Sequence, residues 1–182
     1  ASGSYFYGEG LPMYSYYNQK YAGVDQKTGQ ALYYKTEYYT EKDYTDGVIT
    51  DEALIGKPTG KLTTTTNYGD ADRFVLGTCL APVYGGLSTS FEYKDFDLSV
   101  NCNYQIGGKV YDSGYASLMG SPTSGSGKGF NIHADIYNSW TPTNTTTDIP
   151  RYFYGDEYSN SQSSRFLTDA SYLNFASFNV GY

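Results

Sequence analysis

The stretch Phe96-Asp-Leu-Ser-Val-Asn-Cys-Asn-Tyr-Gln-Ile106 alternates apolar and polar residues from one end to the other. Successive side chains of an extended strand point to opposite faces, so one face would be apolar and the other rich in amides and hydroxyls. A run of about eleven residues matches a tilted strand that crosses a bilayer, with lipid on one side and a wet lumen on the other. A strand of a soluble β-sandwich can alternate in the same way, and this pattern alone leaves both interpretations open.

The preceding residues fit the same pattern if Lys94-Asp95 forms a two-residue turn between antiparallel strands. A register shifted by one residue would mix the two faces. Two features oppose this hairpin: Lys-Asp is not a favoured turn dipeptide, and Glu92 would face Asp97, a pair of like charges. The predicted pairs are Tyr93 with Phe96, Phe91 with Leu98, Thr89 with Val100 and Leu87 with Cys102 on the apolar face, and Ser90 with Ser99 and Ser88 with Asn101 on the polar face.

The composition favours β structure with polar loops. Among the 182 residues, tyrosine (23) and glycine (21) are the commonest, and the mean hydropathy of −0.53 is polar. The formal net charge of −7 argues against a nucleic-acid partner, which would require a basic surface. The sequence contains no run approaching 18 apolar residues, but barrel strands conceal their hydrophobicity in alternate positions. The two cysteines, Cys79 and Cys102, leave a disulfide between them open.

Strand patterns are separated by two long segments rich in turn-forming residues. We predict an extracellular loop at 8–83, a hairpin at 86–106, a second extracellular loop at 111–168 and a strand at 170–182. Residues 1–7 are the expected end of a strand, and 31–39 could form a short strand within the first loop. On the last strand, the expected apolar face is Ala176, Phe178, Val180 and Tyr182. Long loops at one end of the strands and a two-residue turn at the other are typical of bacterial outer-membrane barrels.

Five motifs follow one another along nearly the whole chain. They are Tyr21-Ala-Gly-Val-Asp-Gln-Lys-Thr-Gly-Gln-Ala-Leu-Tyr33, Val83-Tyr-Gly-Gly-Leu-Ser-Thr-Ser-Phe-Glu-Tyr-Lys-Asp-Phe-Asp-Leu98, Gly107-Gly-Lys-Val-Tyr-Asp112, Asn138-Ser-Trp-Thr-Pro142 followed by Thr147-Asp-Ile-Pro-Arg151, and Arg165-Phe-Leu-Thr-Asp-Ala-Ser-Tyr-Leu-Asn174. In this order they resemble the C-terminal part of SusC/RagA-type TonB-linked (TonB-dependent) outer-membrane transporters.

This resemblance implies an all-β, antiparallel transmembrane barrel of about 22 strands, of which the chain would hold some late strands and two extracellular loops. The plug domain and the final strands are expected to be absent, so the chain is expected to be cut at both ends. The resemblance further implies import of an oligosaccharide or oligopeptide across the outer membrane of a Gram-negative bacterium. The implied partners are outer-membrane lipid, a SusD-like surface lipoprotein that covers the barrel, and the TonB complex, contacted through the absent N-terminal part.

The sequence predicts no catalytic, cofactor-binding or metal-binding residues. His133 is the sole histidine and lies in a loop, where a solvated or packing role is expected. Residues 125–129, Gly-Ser-Gly-Lys-Gly, lack the spacing of a phosphate-binding loop. The family often carries an acidic loop near residues 45–50, but Lys42, Tyr44 and Ala53 stand where a calcium loop needs oxygen ligands, so an ordinary turn is expected.

Aromatic residues in the predicted loops are the better functional candidates. Tyrosine and tryptophan offer a flat apolar face with a polar handle, which suits stacking on sugars or seating peptide side chains. The alternative is that they pack the long loops against one another or against a covering partner. A second hypothesis of a different class is a small surface-exposed aromatic-rich β protein for carbohydrate binding or adhesion. The candidate ligand- or partner-contacting residues are Trp140, Tyr152, Tyr154, Tyr38 and Tyr39, with Trp140 first.

Overall fold

The structure, a computed structural model, describes residues 4–121, 131–156 and 158–182. Within these ranges the chain is mostly β, as the sequence predicts. The strands are β1 (Tyr5–Phe6), β2 (Ser15–Gln19), β3 (Tyr21–Val24), β4 (Ala31–Tyr38), β5 (Pro58–Thr65), β6 (Arg73–Thr78), β7 (Val83–Tyr93), β8 (Phe96–Ile106), β9 (Lys109–Tyr111), β10 (Leu167–Asp169) and β11 (Tyr172–Gly181). The helices are α1 (Glu41–Thr45) and α2 (Ser113–Leu118), with 3₁₀ turns at Glu52–Leu54, Tyr68–Asp70, Ala134–Asn138 and Ser164–Phe166. In the part of the chain that the structure describes, every helix is too short or too polar to cross a membrane.

The chain divides into two compact units, which are described separately. The first, here the strand unit, comprises residues 1–17, 75–112 and 167–182. The second, here the loop unit, comprises residues 18–74 and 113–166.

The strand unit is built on an antiparallel sheet with the order β11–β8–β7. The predicted hairpin register is confirmed in full, from Tyr93 opposite Phe96 to Leu87 opposite Cys102, and it continues to Val83 opposite Ile106. The turn residue Lys94 has a φ of 55°, in the left-handed region that lysine rarely adopts. This backbone strain explains why Lys-Asp is not a favoured turn sequence. The hairpin forms nevertheless, because its register matches apolar with apolar and polar with polar residues on its two faces.

The third strand of this sheet contains a β-bulge. β11 pairs with β8 through Leu173 opposite Tyr104 and Phe175 opposite Cys102, and after a register shift through Phe178 opposite Val100 and Val180 opposite Leu98. A bulge inserts one extra residue and therefore reverses which positions face which side. The expected face of this strand was thus wrong in one respect: Ala176 is the inserted residue, and Leu173 and Phe175 continue the apolar face instead.

Polar side chains occupy the opposite face of the same sheet. Asn101 Nδ2 donates to Ser177 Oγ at 2.7 Å, and Asn179 Nδ2 donates to Ser99 Oγ at 3.2 Å. Both bonds join β8 to the part of β11 that follows the bulge. In that part, as in β8, serine and asparagine occupy odd-numbered positions. The bulge therefore aligns both faces at once, apolar with apolar and polar with polar.

The two cysteines are free thiols, so the disulfide left open by the sequence does not form. Cys102 lies in β8 opposite Leu87, and its Sγ donates to the Leu87 carbonyl at 3.5 Å. The backbone N–H of Cys79 donates to the Tyr14 carbonyl at 3.3 Å.

The loop unit contains more regular structure than the sequence predicts. The segment 8–83 was expected to be irregular apart from a short strand at 31–39; that strand is present as β4, and it lies between β3 and β5 in an antiparallel sheet. The β5 sequence Pro58-Thr-Gly-Lys-Leu-Thr-Thr-Thr65 is almost entirely exposed, so it has no apolar alternation that would reveal a strand. Threonine nevertheless favours strands because its branched side chain suits a pleated surface.

The bulge generates a prediction about strand β11. Deleting Ala176 should remove the bulge and turn two large apolar side chains, either Leu173 and Phe175 or Phe178 and Val180, to the polar face. The expected cost is about 1.5–3 kcal/mol for each misplaced side chain. Ala176→Gly is the matched control because it keeps the strand length. The measurement is the fraction of the full-length gene product that refolds into lipid vesicles in a protease-resistant form. Equal refolding of the deletion and the glycine variant would contradict the assigned register.

Candidate ligand-contacting loops

Three tyrosine hydroxyls join the two sequence segments of the loop unit. Tyr33, Tyr21 and Tyr68 lie in the segment 18–74, and each donates a 2.7 Å hydrogen bond to a backbone carbonyl of the segment 113–166. The accepting carbonyls belong to Tyr158, Asp148 and Gln162, respectively. Irregular loops leave backbone carbonyls without regular partners, and these hydroxyls satisfy three of them.

The rings of the same tyrosines pack together with Ala31 and Ala71 in a hydrophobic cluster of the loop unit, here the tyrosine core. Tyr33 is 1% exposed and makes edge-to-face contacts with Tyr21 (centroids 5.9 Å apart) and Tyr68 (5.2 Å). Tyr68 in turn stacks on Tyr158 at 6.3 Å. Burial raises the pKa of Tyr33 and of Tyr21 well above the usual range, and the nearby Arg165 guanidinium opposes the rise at Tyr21 only in part. A tyrosine hydroxyl is already protonated at neutral pH, and the raised pKa keeps these two hydroxyls able to donate in alkaline solution as well.

A second polar cluster surrounds the histidine. The Tyr115 hydroxyl donates to Asp135 Oδ2 at 2.8 Å, and burial followed by this hydrogen bond raises the pKa of Tyr115 to about 12. His133 caps the 3₁₀ turn Ala134–Asn138, because its Nδ1 accepts the backbone N–H of Asp135 at 3.2 Å. The Tyr115 and His133 rings meet edge to face at 4.8 Å. This arrangement agrees with the packing role expected for His133.

Trp140 lies between two loops of the loop unit. Its Nε1 donates to the Gln26 carbonyl at 3.3 Å, and its backbone N–H donates to Ile149 at 2.9 Å. Its ring lies against Gly29, whose φ of 74° and lack of a Cβ allow the contact. These contacts match the alternative of loop packing. A ligand-contacting role for the half-buried Trp140 stays a prediction.

The other four candidate aromatics lie at two places in the loop unit. Tyr38 ends β4 opposite Pro58, and the backbone of Tyr39 exchanges hydrogen bonds with Gly56 and Lys57. Tyr152 and Tyr154 flank Phe153, and Tyr154 is 62% exposed. No ring contact joins one pair to the other within the described ranges, so the structure does not assemble the predicted set into one site. Their role in binding stays a prediction.

Sequence reasoning missed the cavity beside Tyr152 and Tyr154. The cavity has a volume of about 220 Å³, and its lining consists of Gln30, Arg151, Phe153, Gly155, Asp156 and Tyr158. The Arg151 guanidinium lies over the Phe153 ring, 4.7 Å from its centroid. The arginine ends the motif Thr147-Asp-Ile-Pro-Arg151, but nothing in the sequence shows that Gln30, more than one hundred residues away, meets it.

Two of the positions considered for calcium binding, Lys42 and Tyr44, lie in the capped helix α1, and the third, Ala53, lies in the 3₁₀ turn Glu52–Leu54. The backbone N–H and the hydroxyl of Thr40 both donate to Asp43 Oδ2 at 2.7 Å at the start of α1, and these bonds lower the pKa of Asp43. Across residues 4–121, 131–156 and 158–182, no three His, Cys, Asp or Glu side chains cluster as metal ligands would. The glycine-rich stretch 125–129 lies outside the described residues.

A three-stranded sheet with one apolar and one polar face, together with long folded loops, is the pattern expected of a membrane-barrel wall segment with its loops. Comparison with known proteins agrees. The chain is 27% identical over 177 residues to the TonB-dependent receptor P3 of Formosa agariphila, an alignment that covers 96% of this chain. The chain spans about 15% of the length of that curated relative. No protein-family model matches the chain.

Solved structures show the same fold. The RagAB peptide importer in its 'closed-closed' state superposes with a TM-score of 0.69 at 22% identity, covering 98% of this chain and 17% of that one. A structure of the RagAB peptide transporter gives a TM-score of 0.62 at 21% identity, covering 91% and 16%. The resemblance to SusC/RagA-type TonB-dependent transporters is therefore confirmed. These relatives are a receptor and transporters, in agreement with the prediction that the chain is not an enzyme.

Removing one buried hydroxyl tests the tyrosine core. Tyr33→Phe should destabilise the loop unit by about 1 kcal/mol, because the Tyr158 carbonyl loses its partner in a partly buried place. Tyr34→Phe is the matched control, since Tyr34 follows in the same strand and its hydroxyl has no partner within the described ranges. The measurement is backbone hydrogen exchange of residues 18–74 and 113–166 in the full-length gene product. Equal exchange rates in the two variants would refute the role of the hydroxyl.

A glycine comparison tests the packing of Trp140. Gly29→Ala should destabilise the surrounding loops by about 1–3 kcal/mol more than Gly47→Ala, because a Cβ at residue 29 collides with the indole ring. Gly47 has the same φ of 74° and open space around it, so it carries the backbone strain without the collision. Hydrogen exchange of residues 26–30 and 138–151 provides the measurement. Indistinguishable variants would show that Trp140 does not hold these loops together.

Proposed function

We propose that the chain is part of an outer-membrane, TonB-dependent importer of oligosaccharides or oligopeptides in a Gram-negative bacterium. In this proposal the strand unit contributes wall strands to a larger barrel. The loop unit lies at the extracellular surface and contacts the ligand and a covering SusD-like lipoprotein. The TonB complex acts through a part of the transporter outside this chain.

The observation that carries this proposal is the exposed apolar face of the sheet β11–β8–β7. Phe175 and Phe178 are 65% and 66% exposed, and Phe91 is 62% exposed. A contiguous apolar face of this kind is unfavourable in water and is expected where lipid covers it. The apolar side chains on this face include Val83, Leu87, Phe91, Tyr93, Phe96, Leu98, Val100, Cys102, Tyr104, Ile106, Leu173, Phe175, Phe178 and Val180.

The edges of the sheet support a wall that continues beyond this chain. In the order β11–β8–β7, the outer edges of β7 and β11 have no partner strand within the described ranges. Unpaired edges expose backbone donors and acceptors, and in lipid they must be paired. Neighbouring strands of a closed barrel would pair with both edges. The same two features disfavour the alternative of a small self-contained adhesion protein, which would have to cover this face and both edges in water.

The loop unit supports a role in ligand capture. It is folded around its own tyrosine core, and it presents exposed aromatic rings, including Tyr152, Phe153 and Tyr154. Rigid aromatic surfaces bind sugars and peptides at low cost in conformational entropy. A lipoprotein that closes over the barrel would meet the same rings. The choice between oligosaccharide and oligopeptide is addressed below through the chemistry of one cavity.

The proposal is tested with the full gene in the organism that carries it. A deletion strain should lose growth on one class of nutrient when oligopeptides and oligosaccharides are supplied singly, and the full gene should restore it. Deleting the TonB gene should abolish the same growth, because passage through a plugged barrel requires energy from the inner membrane. The gene product should fractionate with the outer membrane. Recovery in the soluble fraction, or growth that does not depend on TonB, would refute the proposal.

A further inference from the structure

We propose that Arg151 and its cavity form a subsite for a carboxylate group of the transported ligand. The inference rests on the proposed function and adds a substrate chemistry to it. The subsite lies entirely within the loop unit, where Gln30 comes from one segment and Arg151, Phe153, Gly155, Asp156 and Tyr158 come from the other.

The Nε–H group of Arg151 lacks a hydrogen-bond partner in the described part of the chain. Among the described residues, its buried Nε makes no hydrogen bond, and no Asp or Glu carboxylate lies within ion-pair distance of the side chain. A buried donor without an acceptor is costly, and natural structures usually provide one. An arginine held for structure alone would be expected to pair with a protein carboxylate or carbonyl, as Arg165 does with the Ser159 carbonyl at 2.7 Å.

Asp156 lines the same cavity but does not neutralise Arg151. Its Oδ1 accepts the backbone N–H groups of Tyr158 at 3.1 Å and Ser159 at 3.2 Å. The oxygen Oδ1 is thus engaged by the turn that follows it, whereas Oδ2 accepts none of the hydrogen bonds found among the described residues. The cavity therefore contains a cation and an anion that are not paired with each other, an arrangement that suits a ligand carrying a carboxylate next to an N–H or O–H donor.

Phe153 lies against the guanidinium of Arg151. Arg151 lies over the Phe153 ring at 4.7 Å, and its backbone N–H donates to the Gly29 carbonyl at 2.8 Å. A guanidinium over an aromatic ring commonly stacks flat on it, and that arrangement leaves its edge, with parallel N–H groups, for an acceptor in the same plane. A carboxylate has the geometry that matches this edge with two hydrogen bonds.

The size of the cavity limits what it can accept. Sites for whole small ligands usually measure about 300–1,000 Å³, whereas this cavity measures about 220 Å³. It would accommodate one residue or one sugar ring of a longer ligand. Two sources supply the required carboxylate: the C-terminal residue of a peptide, whose amide N–H can reach Asp156, or a uronic acid unit of an oligosaccharide, whose hydroxyl can do the same.

The test measures binding to the purified full-length gene product by calorimetry. The probes are trialanine and its C-terminal amide, and trigalacturonic acid and its methyl ester. At least one free acid should bind about tenfold or more tightly than its neutral counterpart, because charge-assisted hydrogen bonds are stronger than neutral ones. Preference for trialanine identifies the peptide source, and preference for trigalacturonic acid identifies the uronate source. The absence of a preference in both pairs would overturn the proposal.

Variants assign the preference to Arg151. Arg151→Gln should remove the preference for the free acid, whereas Arg73→Gln should retain it. Arg73 is an exposed arginine of the same unit, so its substitution changes the net charge equally. A preference that survives in Arg151→Gln would also overturn the proposal. If the binding assay supports the subsite while uptake is independent of TonB, the proposed function fails and the subsite stands.

A measurement on the unmodified protein tests the same subsite without a substitution, so it does not depend on whether the variants fold. The preferred free acid should slow the reaction of Arg151 with phenylglyoxal, as followed by peptide mass spectrometry. Arg73 should react at the same rate with and without the ligand. Equal protection of both arginines, or protection of neither, would contradict a subsite at Arg151.

Discussion

The constraint on which the strand unit depends is the agreement of apolar and polar faces across three neighbouring strands. Side chains alternate along every strand, so one misplaced residue moves everything beyond it to the wrong face. β7 and β8 satisfy this constraint through eleven consecutive pairs, from Val83 opposite Ile106 to Tyr93 opposite Phe96. Two local irregularities follow from this constraint. The strained Lys94 keeps the turn at two residues, and the bulge at Ala176 brings the apolar residues on both sides of it in β11 to the same face.

The loop unit is stabilised in a different way from the strand unit. Its sequence is polar and rich in turns, with few long apolar runs that could form a conventional core. Such a unit needs buried apolar area and partners for its backbone carbonyls. Tyrosine provides both, because its ring is apolar and its hydroxyl donates a hydrogen bond. Tyr21, Tyr33 and Tyr68 do this across the two segments of the unit. The abundance of tyrosine thus has a structural explanation in the loops, and exposed rings such as Tyr154 are left for contact with other molecules.

The sequence was sufficient to predict the hairpin register, because alternation and a two-residue turn define each pair. It could not predict the bulge, since Ala176 is small enough to be assigned to either face. Strand β5 was missed because its exposed threonines carry no apolar period, and its pairing with β4 is a long-range event. Of the candidate site, the aromatic residues were recognisable by type. The Arg151 cavity was not, because the segment around Gln30 and the segment 151–158 meet only in the folded loops.

The assignment of faces determines which residues meet lipid and which can line a permeation path, and accessibility to lipid measures it directly. Fluorescent probes would be attached singly at Leu98, Val100, Ser99 and Asn101 of the full-length gene product reconstituted in vesicles. Quenchers carried on the lipid chains should strongly reduce emission from residues 98 and 100 and leave residues 99 and 101 nearly unaffected. Equal quenching at even and odd positions would contradict the membrane-wall account.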